Sequence, residues 1–321
     1  MNILITSKDY DRGSGRCFYR FPSTTVISGK EVALLNAKFN NSFFNVSSAL
    51  GNNTIAFRFP IYTGIDTVVS TSPTDEASGL FVLVLPDGFY SFEAMNLAIQ
   101  DFFIRKGLYL LDIASGKNVY FATLRTNSIQ YKIQLDTYPL PTQSQATIEA
   151  WTYPYATSPR IVNPNSSTAQ TFFYTTQFVI GTIGGLLGIG SGFVPTNATA
   201  PTALPRYPLS TTLPASTPYG DLVVASTLGA QAPEVQLVTA VIVKTNLVSS
   251  STSYPVDMLA LVSVDSLFGA GVHWSASFPM FVPTASGNLA GIELSFCDQN
   301  LNPVKFYDPD VSFTLYIRDK Q

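Results

Sequence analysis

The chain has 321 residues, with 18 Lys and Arg against 21 Asp and Glu, a net charge of −3 and a hydrophobic fraction of 46%. That fraction excludes global disorder, and the lack of any basic cluster excludes a nucleic-acid footprint. Charged residues make up 12% against roughly 25% in ordinary soluble domains, while there are 16 Tyr and 23 Phe. Interface cores lose Lys, Glu and Asp and gain aromatics, so much of the surface is expected to face other protein.

In chain order, residues 1–20 read as a flexible or docking arm around Gly13-Ser14-Gly15. The opening MNILITSK has no basic segment, apolar core and cleavage site of a secretory signal. The sequons beginning at Asn40, Asn45, Asn52, Asn165 and Asn197 are therefore expected to stay unused. Residues 32–39 and 55–59 are short apolar runs, and 80–85 (LFVLVL) are apolar without a break, which predicts a strand covered on both faces. Pro86-Asp87-Gly88 supplies a turn. The one predicted helix follows: Ser91 caps it, Phe92, Met95, Ile99, Phe102 and Phe103 recur at helical spacing, Arg105 and Lys106 suit its last turn, and Gly107 ends it. Over 129–135 a strand is predicted with Ile129, Tyr131, Ile133 and Leu135 on one face.

Composition then shifts. Residues 138–233 hold four charged residues and 12 of the 21 prolines, which predicts long ordered loops or an elaborated insertion. Within it, 178–194 (FVIGTIGGLLGIGSGFV) carry no charge and show overlapping GxxxG spacings; with six glycines and no basic flank, a buried or interface-lining segment is expected and no membrane span is predicted. From Glu234 strands resume at 235–243, 259–264, 292–297 and 311–317; in the last, Val311, Phe313, Leu315 and Ile317 alternate with Ser312, Thr314 and Tyr316. The reading is an all-β protein: a single jelly-roll antiparallel β-sandwich with an elaborated insertion and one short helix. Its predicted organisation is an arm at 1–20, the jelly roll at 21–137 and 234–321, and the insertion at 138–233.

Chemistry is not evident. His273 is the only histidine, no GxSxG elbow or Walker A motif occurs, and Gly188, Gly190 and Gly192 lack the rest of a dinucleotide fingerprint. Asp308 and Asp310, flanking Pro309, read as turn-stabilising and not as a cation site. Cys17 and Cys297 fit no zinc pattern; free thiols are the default, with a bridge between them the alternative. No catalytic, cofactor-binding or metal residue is predicted, and no cofactor. Trp151, Tyr153 and Tyr155 could stack on sugars if exposed, or lie in an interface or under a loop.

Three stretches carry a resemblance. Residues 79–107 combine a strand, a Pro-Asp-Gly-Phe-Tyr turn and a helix containing Met95-Asn96; 238–248 end in Asn-Leu-Val, followed by Phe268-Gly269; and 289–319 pair an Asp-Gln turn with a closing strand. Together they resemble the penton, or minor capsid, proteins of virophages and Polinton-like viruses. The resemblance implies a jelly roll with an insertion, five copies of which plug each vertex of an icosahedral virion, surrounded by double jelly-roll trimers of a major capsid protein. It implies a homopentamer without catalytic residues, assembled inside the host cell and not secreted. The alternative reading is a carbohydrate- or receptor-binding β-sandwich, such as a viral spike or lectin-like module.

Overall fold

Successive side chains of a strand point to opposite faces, so alternating sequence sorts itself between core and surroundings. Phe313, Leu315 and Ile317 are accordingly buried, while Ser312, Thr314 and Tyr316 lie half-exposed on the other face. The computed structural model describes residues 1–166, 174–197, 225–248, 255–285, 287–308 and 310–320. The chain divides into two compact units, the first of residues 1–44 with 236–321 and the second of residues 45–235.

In chain order the elements are β1 (Asn2–Thr6), β2 (Arg16–Val26), β3 (Lys30–Asn40), β4 (Thr54–Arg58), β5 (Leu80–Val84), α1 (Phe92–Lys106), β6 (Ala122–Asn127) and β7 (Lys132–Thr137). There follow α2 (Gln143–Ile148), β8 (Gln177–Ile180), α3 (Gly184–Leu187), β9 (Gly192–Val194) and β10 (Ala225–Leu228). The chain ends with β11 (Ala240–Thr245), β12 (Met258–Ser263), β13 (Gly271–Ser275), β14 (Asn288–Cys297) and β15 (Ser312–Asp319). Short pairs such as Tyr10–Asp11 and Val282–Pro283 supplement them.

The first unit is the jelly roll. One antiparallel sheet runs β1-β15-β3-β13, and the other runs β12-β11-β14-β2. Counting only this unit's strands, the orders are first, eighth, third, sixth and fifth, fourth, seventh, second, which is the interleaving that two Greek keys produce. Its core is aromatic at the centre: the Phe296 and Phe313 rings stack 5.0 Å apart, and Phe306 lies 4.9 Å from Phe296 and 4.8 Å from Phe39. Tyr10 is buried among them without an orphaned hydroxyl, since it donates to the Phe306 carbonyl (3.1 Å) and accepts from the Phe306 N–H (2.8 Å).

The first 20 residues are not an arm. Ile3 and Ile5 point into the core from β1, which pairs with β15, and Tyr10–Asp11 forms a hairpin with β2. Gly13-Ser14-Gly15 is that hairpin's turn, held by the Asp11 carboxylate, which accepts from Gly13 N–H (3.0 Å) and Ser14 Oγ (2.7 Å). The expected jelly-roll limits also shift, because residues 45–137 belong to the same unit as 138–235.

The second unit holds a four-stranded sheet of order β9-β8-β4-β5 and a three-stranded sheet β6-β7-β10. Helix α1 has the predicted ends: Ser91 Oγ accepts from Ala94 N–H, and Gly107 sits at φ 66°, where the absence of a Cβ removes the steric cost. Its buried residues are the five predicted, and Phe103 packs 4.8 Å from Phe57 and 5.3 Å from Phe59. There are two further helices among the described residues, α2 and α3, both too short to show periodicity in sequence. The glycine-rich 178–194 segment is divided among β8, α3 and β9, and no described helix is long and apolar enough to cross a membrane.

Three strand expectations fail in part, the first because the strand expected at 235–243 begins only at Ala240. In β5 only Phe81 and Leu83 are buried, whereas Val82 and Val84 are exposed. The strand predicted over 129–135 begins only at Lys132; Ile129 is 94% exposed and Tyr131 takes φ 50°, so both lie in the turn between β6 and β7.

Candidate assembly surface

The residues that carry the resemblance hold the scaffold. Met95 is fully buried, and Asn96 Oδ1 accepts from the Leu124 N–H at 2.9 Å, tying α1 to β6. Asn246 reaches β14, accepting from Glu293 N–H (2.9 Å) and donating to the Gly291 carbonyl (3.3 Å). Gly269, at φ 81°, donates its N–H to the Asn41 carbonyl. In the Asp-Gln turn the Asp298 carboxylate accepts from the backbones of Asn300 and Asn302, and Gln299 bonds Leu237 and Thr239.

Among the described residues no cluster of His, Cys, Asp and Glu could hold a metal ion. His273 is exposed on β13, opposite Lys38. The described residues contain two buried carboxylates, Asp136 and Asp298. Asp298 is committed to its turn, and Asp136 is met by Arg125 Nε at 2.6 Å and Gln134 Nε2 at 2.8 Å. Asp308 accepts from Asp310 N–H (3.0 Å) and Asn40 Nδ2 (2.7 Å), the turn role its spacing suggests. Those two bonds, the backbone one first, hold its carboxyl below the usual range.

Cys17 and Cys297 are free and buried. Cys17 faces the core opposite Leu294; Cys297 lies three residues further along β14, and alternation turns it to the other face. That offset is roughly 10 Å along the strand, beyond the ~7 Å Cα separation a bridge tolerates. Desolvation pushes the Cys17 thiol up to about 12 and also raises Cys297.

The proposed sugar platform does not form. Trp151 is buried, its ring meeting Phe121 edge-on at 6.3 Å. Tyr153 is partly buried, with its hydroxyl accepting from the Val162 N–H at 2.8 Å, and only Tyr155 is exposed. Further along, Phe178 is buried and Tyr174 half-buried, while Phe172 and Phe173 lie outside the described residues.

Large apolar side chains reach solvent elsewhere. Between β13 and Val282–Pro283, which both pair with β3, residues 276–281 bulge from one sheet strand. On this loop Phe278 is 87% and Met280 80% exposed. Its base is fixed: Phe281 meets the Tyr316 ring edge-on at 5.8 Å, and the Arg318 guanidinium lies 3.5 Å above the Phe281 ring while pairing with Glu31 at 3.1 Å. An anchored loop presenting two unpaired apolar side chains has the composition of an interface anchor, with little ordering entropy left to lose. No composition or spacing rule marked it, since Ser-Phe-Pro-Met-Phe reads equally as a buried turn.

No family model matches the chain, and none of the curated proteins matches it. Among solved structures it is similar to the mavirus penton protein, at 8% identity and a TM-score of 0.42 over 99% of this chain and 96% of that one. It is also similar to a chain of the Sputnik virophage structure determined by cryo-electron microscopy, at 12% identity and a TM-score of 0.37 over 100% and 97%.

Proposed function

We propose that the protein is a structural component of a viral capsid, that five copies close into a ring at the icosahedral vertex, and that a double jelly-roll major capsid protein surrounds it. The observation that carries this reading is the anchored loop with Phe278 and Met280 in solvent, on a chain of only 12% charged residues. A closed ring needs a heterologous contact, one flank of a subunit against the opposite flank of the next, and a loop at one sheet edge supplies such a flank. The charge-poor, proline-rich region 138–233 would then provide further subunit contacts or the outer face of the vertex. The protein acts in the virion, after assembly in the host cell, and has no catalytic role.

Light scattering on purified protein tests the ring: five chains of 34.8 kDa give about 174 kDa. Imaging of particles tests its position. A stable monomer missing from the five-fold vertices of its virus would overturn the proposal.

A further inference from the structure

Strand β5 is the last strand on its side of the sheet β9-β8-β4-β5, and among the described residues no strand pairs with its outer edge. The direction of its backbone groups follows from the ladder. Phe59 N–H bonds the Gly79 carbonyl and Leu85 N–H bonds the Asn53 carbonyl, and the register with β4 between them is unbroken. Alternation then turns Phe81 and Leu83 toward β4 and the backbones of Leu80, Val82 and Val84 outward. The Leu80 N–H confirms this by bonding the Asp75 carbonyl, away from β4. The outward N–H and C=O of Val82 and Val84 have no partner among the described residues.

Natural edges are usually blunted by lysine, proline or a bulge, and β5 has none of them. Its exposed face is also apolar. Val82 (46% exposed) and Val84 (60%) stand outward, and Val82 begins a cross-strand row continuing through Ala56, Val179 and Phe193. Edge strand β12 in the first unit differs, because its pairing with β11 shifts register between Val243 and Lys244.

Charge at the two ends of β5 selects the occupant. Asp75 lies at one end and Asp87 at the other, and their carboxylates accept from Ser78 and Ser48, with no ion pair to either among the described residues. Nearby cations are turned elsewhere: Lys106 pairs with Glu76, and Arg58 bonds Gln177 and covers the Phe193 ring, on the side of β4 away from β5. A second copy pairing antiparallel about Val82 would bring the Asp75-Glu76 end of one β5 against the Asp87 end of the other, setting like charges together.

We propose that the outer edge of β5 accepts an extended strand from a partner chain of different sequence, apolar at alternate positions and carrying Lys or Arg at its ends. Backbone bonds to Val82 and Val84 supply the pairing, the valine side chains choose the apolar positions, and Asp75 and Asp87 choose the ends. This site goes beyond the capsid reading and holds whether or not the protein forms a ring.

The test uses the full chain and a labelled nine-residue peptide with a Thr-Val-Thr-Val-Thr core and two lysines at each end. The peptide is expected to bind, and the same core with glutamate ends to bind at least tenfold more weakly, the difference shrinking as salt is raised. Amide exchange at Val82 and Val84 should slow at least tenfold on binding. Val82→Pro removes an outward donor and leaves the β4 ladder intact, so it should abolish binding with folding preserved. Val84→Lys, which places a cation beside the lysine-ended peptide, should weaken binding tenfold and serves if the proline variant does not fold. Equal binding of the two peptides, unchanged exchange at Val82 and Val84, or full binding by both variants would overturn the proposal. So would slow exchange at these amides that depends on protein concentration without peptide, which would identify a second copy as the occupant.

Discussion

The side-chain amide of Asn45 donates to the carbonyl of Val235 at 3.0 Å, joining the first and last residues of the second unit. The same amide donates to the Tyr90 carbonyl (2.9 Å), and Asn45 Oδ1 accepts from the Tyr90 N–H (2.8 Å). Asn45 is 1% exposed, so the sequon it begins is closed to glycosylation in the folded protein. Asn45→Ala leaves three partly buried backbone groups without their side-chain partner, and a loss of about 1–3 kcal/mol is expected, read by urea unfolding.

Phe313 is fully buried between Phe296 and Phe39. Phe313→Ala should cost about 3–5 kcal/mol through the cavity it leaves. Equilibrium unfolding of a variant with an unchanged circular dichroism spectrum measures it; a loss under about 1 kcal/mol would mean the site collapses far more completely than a packed core does.

Much of the jelly roll was legible because its strands obey a period of two. Val311 to Ile317 and Ile292 to Phe296 alternate cleanly, and the inward residues of both strands are buried. Leu80 to Leu85 misled for a physical reason: an uninterrupted apolar run says that both faces could be covered, and nothing in it says that one is not. Ile129 and Tyr131 kept the period through a turn, where a positive φ at Tyr131 ends the strand without any glycine to mark it. Helix α2 carries a local start signal, the reciprocal capping box of Thr142 and Gln145, but is too short for its periodicity to show. The exposed loop was illegible, because exposure of Phe278 depends on which neighbours the fold brings near it.

The thiols give a reactivity prediction. With Cys17 fully buried and held at about 12, almost none of it is thiolate at pH 8, and the thiolate is the reactive form. Cys17 should resist iodoacetamide in the native protein and react fully in guanidinium, as mass spectrometry of the alkylated peptide would record.

Asp308 gives a pH dependence. Its folded carboxyl titrates below the unfolded value because Asp310 N–H and Asn40 bond its charged form. The stability it contributes is present above the unfolded pKa and disappears as pH falls through the folded one. Wild type should therefore melt above Asp308→Asn at pH 7, and the two melting temperatures should converge as pH falls below about 4.

At the assembly surface, Phe278→Asp with Met280→Asp should leave the melting temperature of the isolated chain unchanged, since both side chains already lie in water. Association should weaken by about 2 kcal/mol or more, the scale of an interface hot spot. Sedimentation velocity over a concentration series reads both ring and monomer. An unaltered ring would place the subunit contact elsewhere.

The interruption of the jelly roll between residues 44 and 236 acts on the chain while it is being made. A ribosome adding about 5–20 residues per second takes on the order of 10–40 s to pass the intervening segment. For that interval β1, β2 and β3 have emerged without β11, β14 or β15, so Ile5, Val32 and Phe39 have no core to enter. Nascent chains are most open to chaperones, or to pairing with one another on a polysome, in that window, and the uninterrupted second unit is the part that can finish folding inside it.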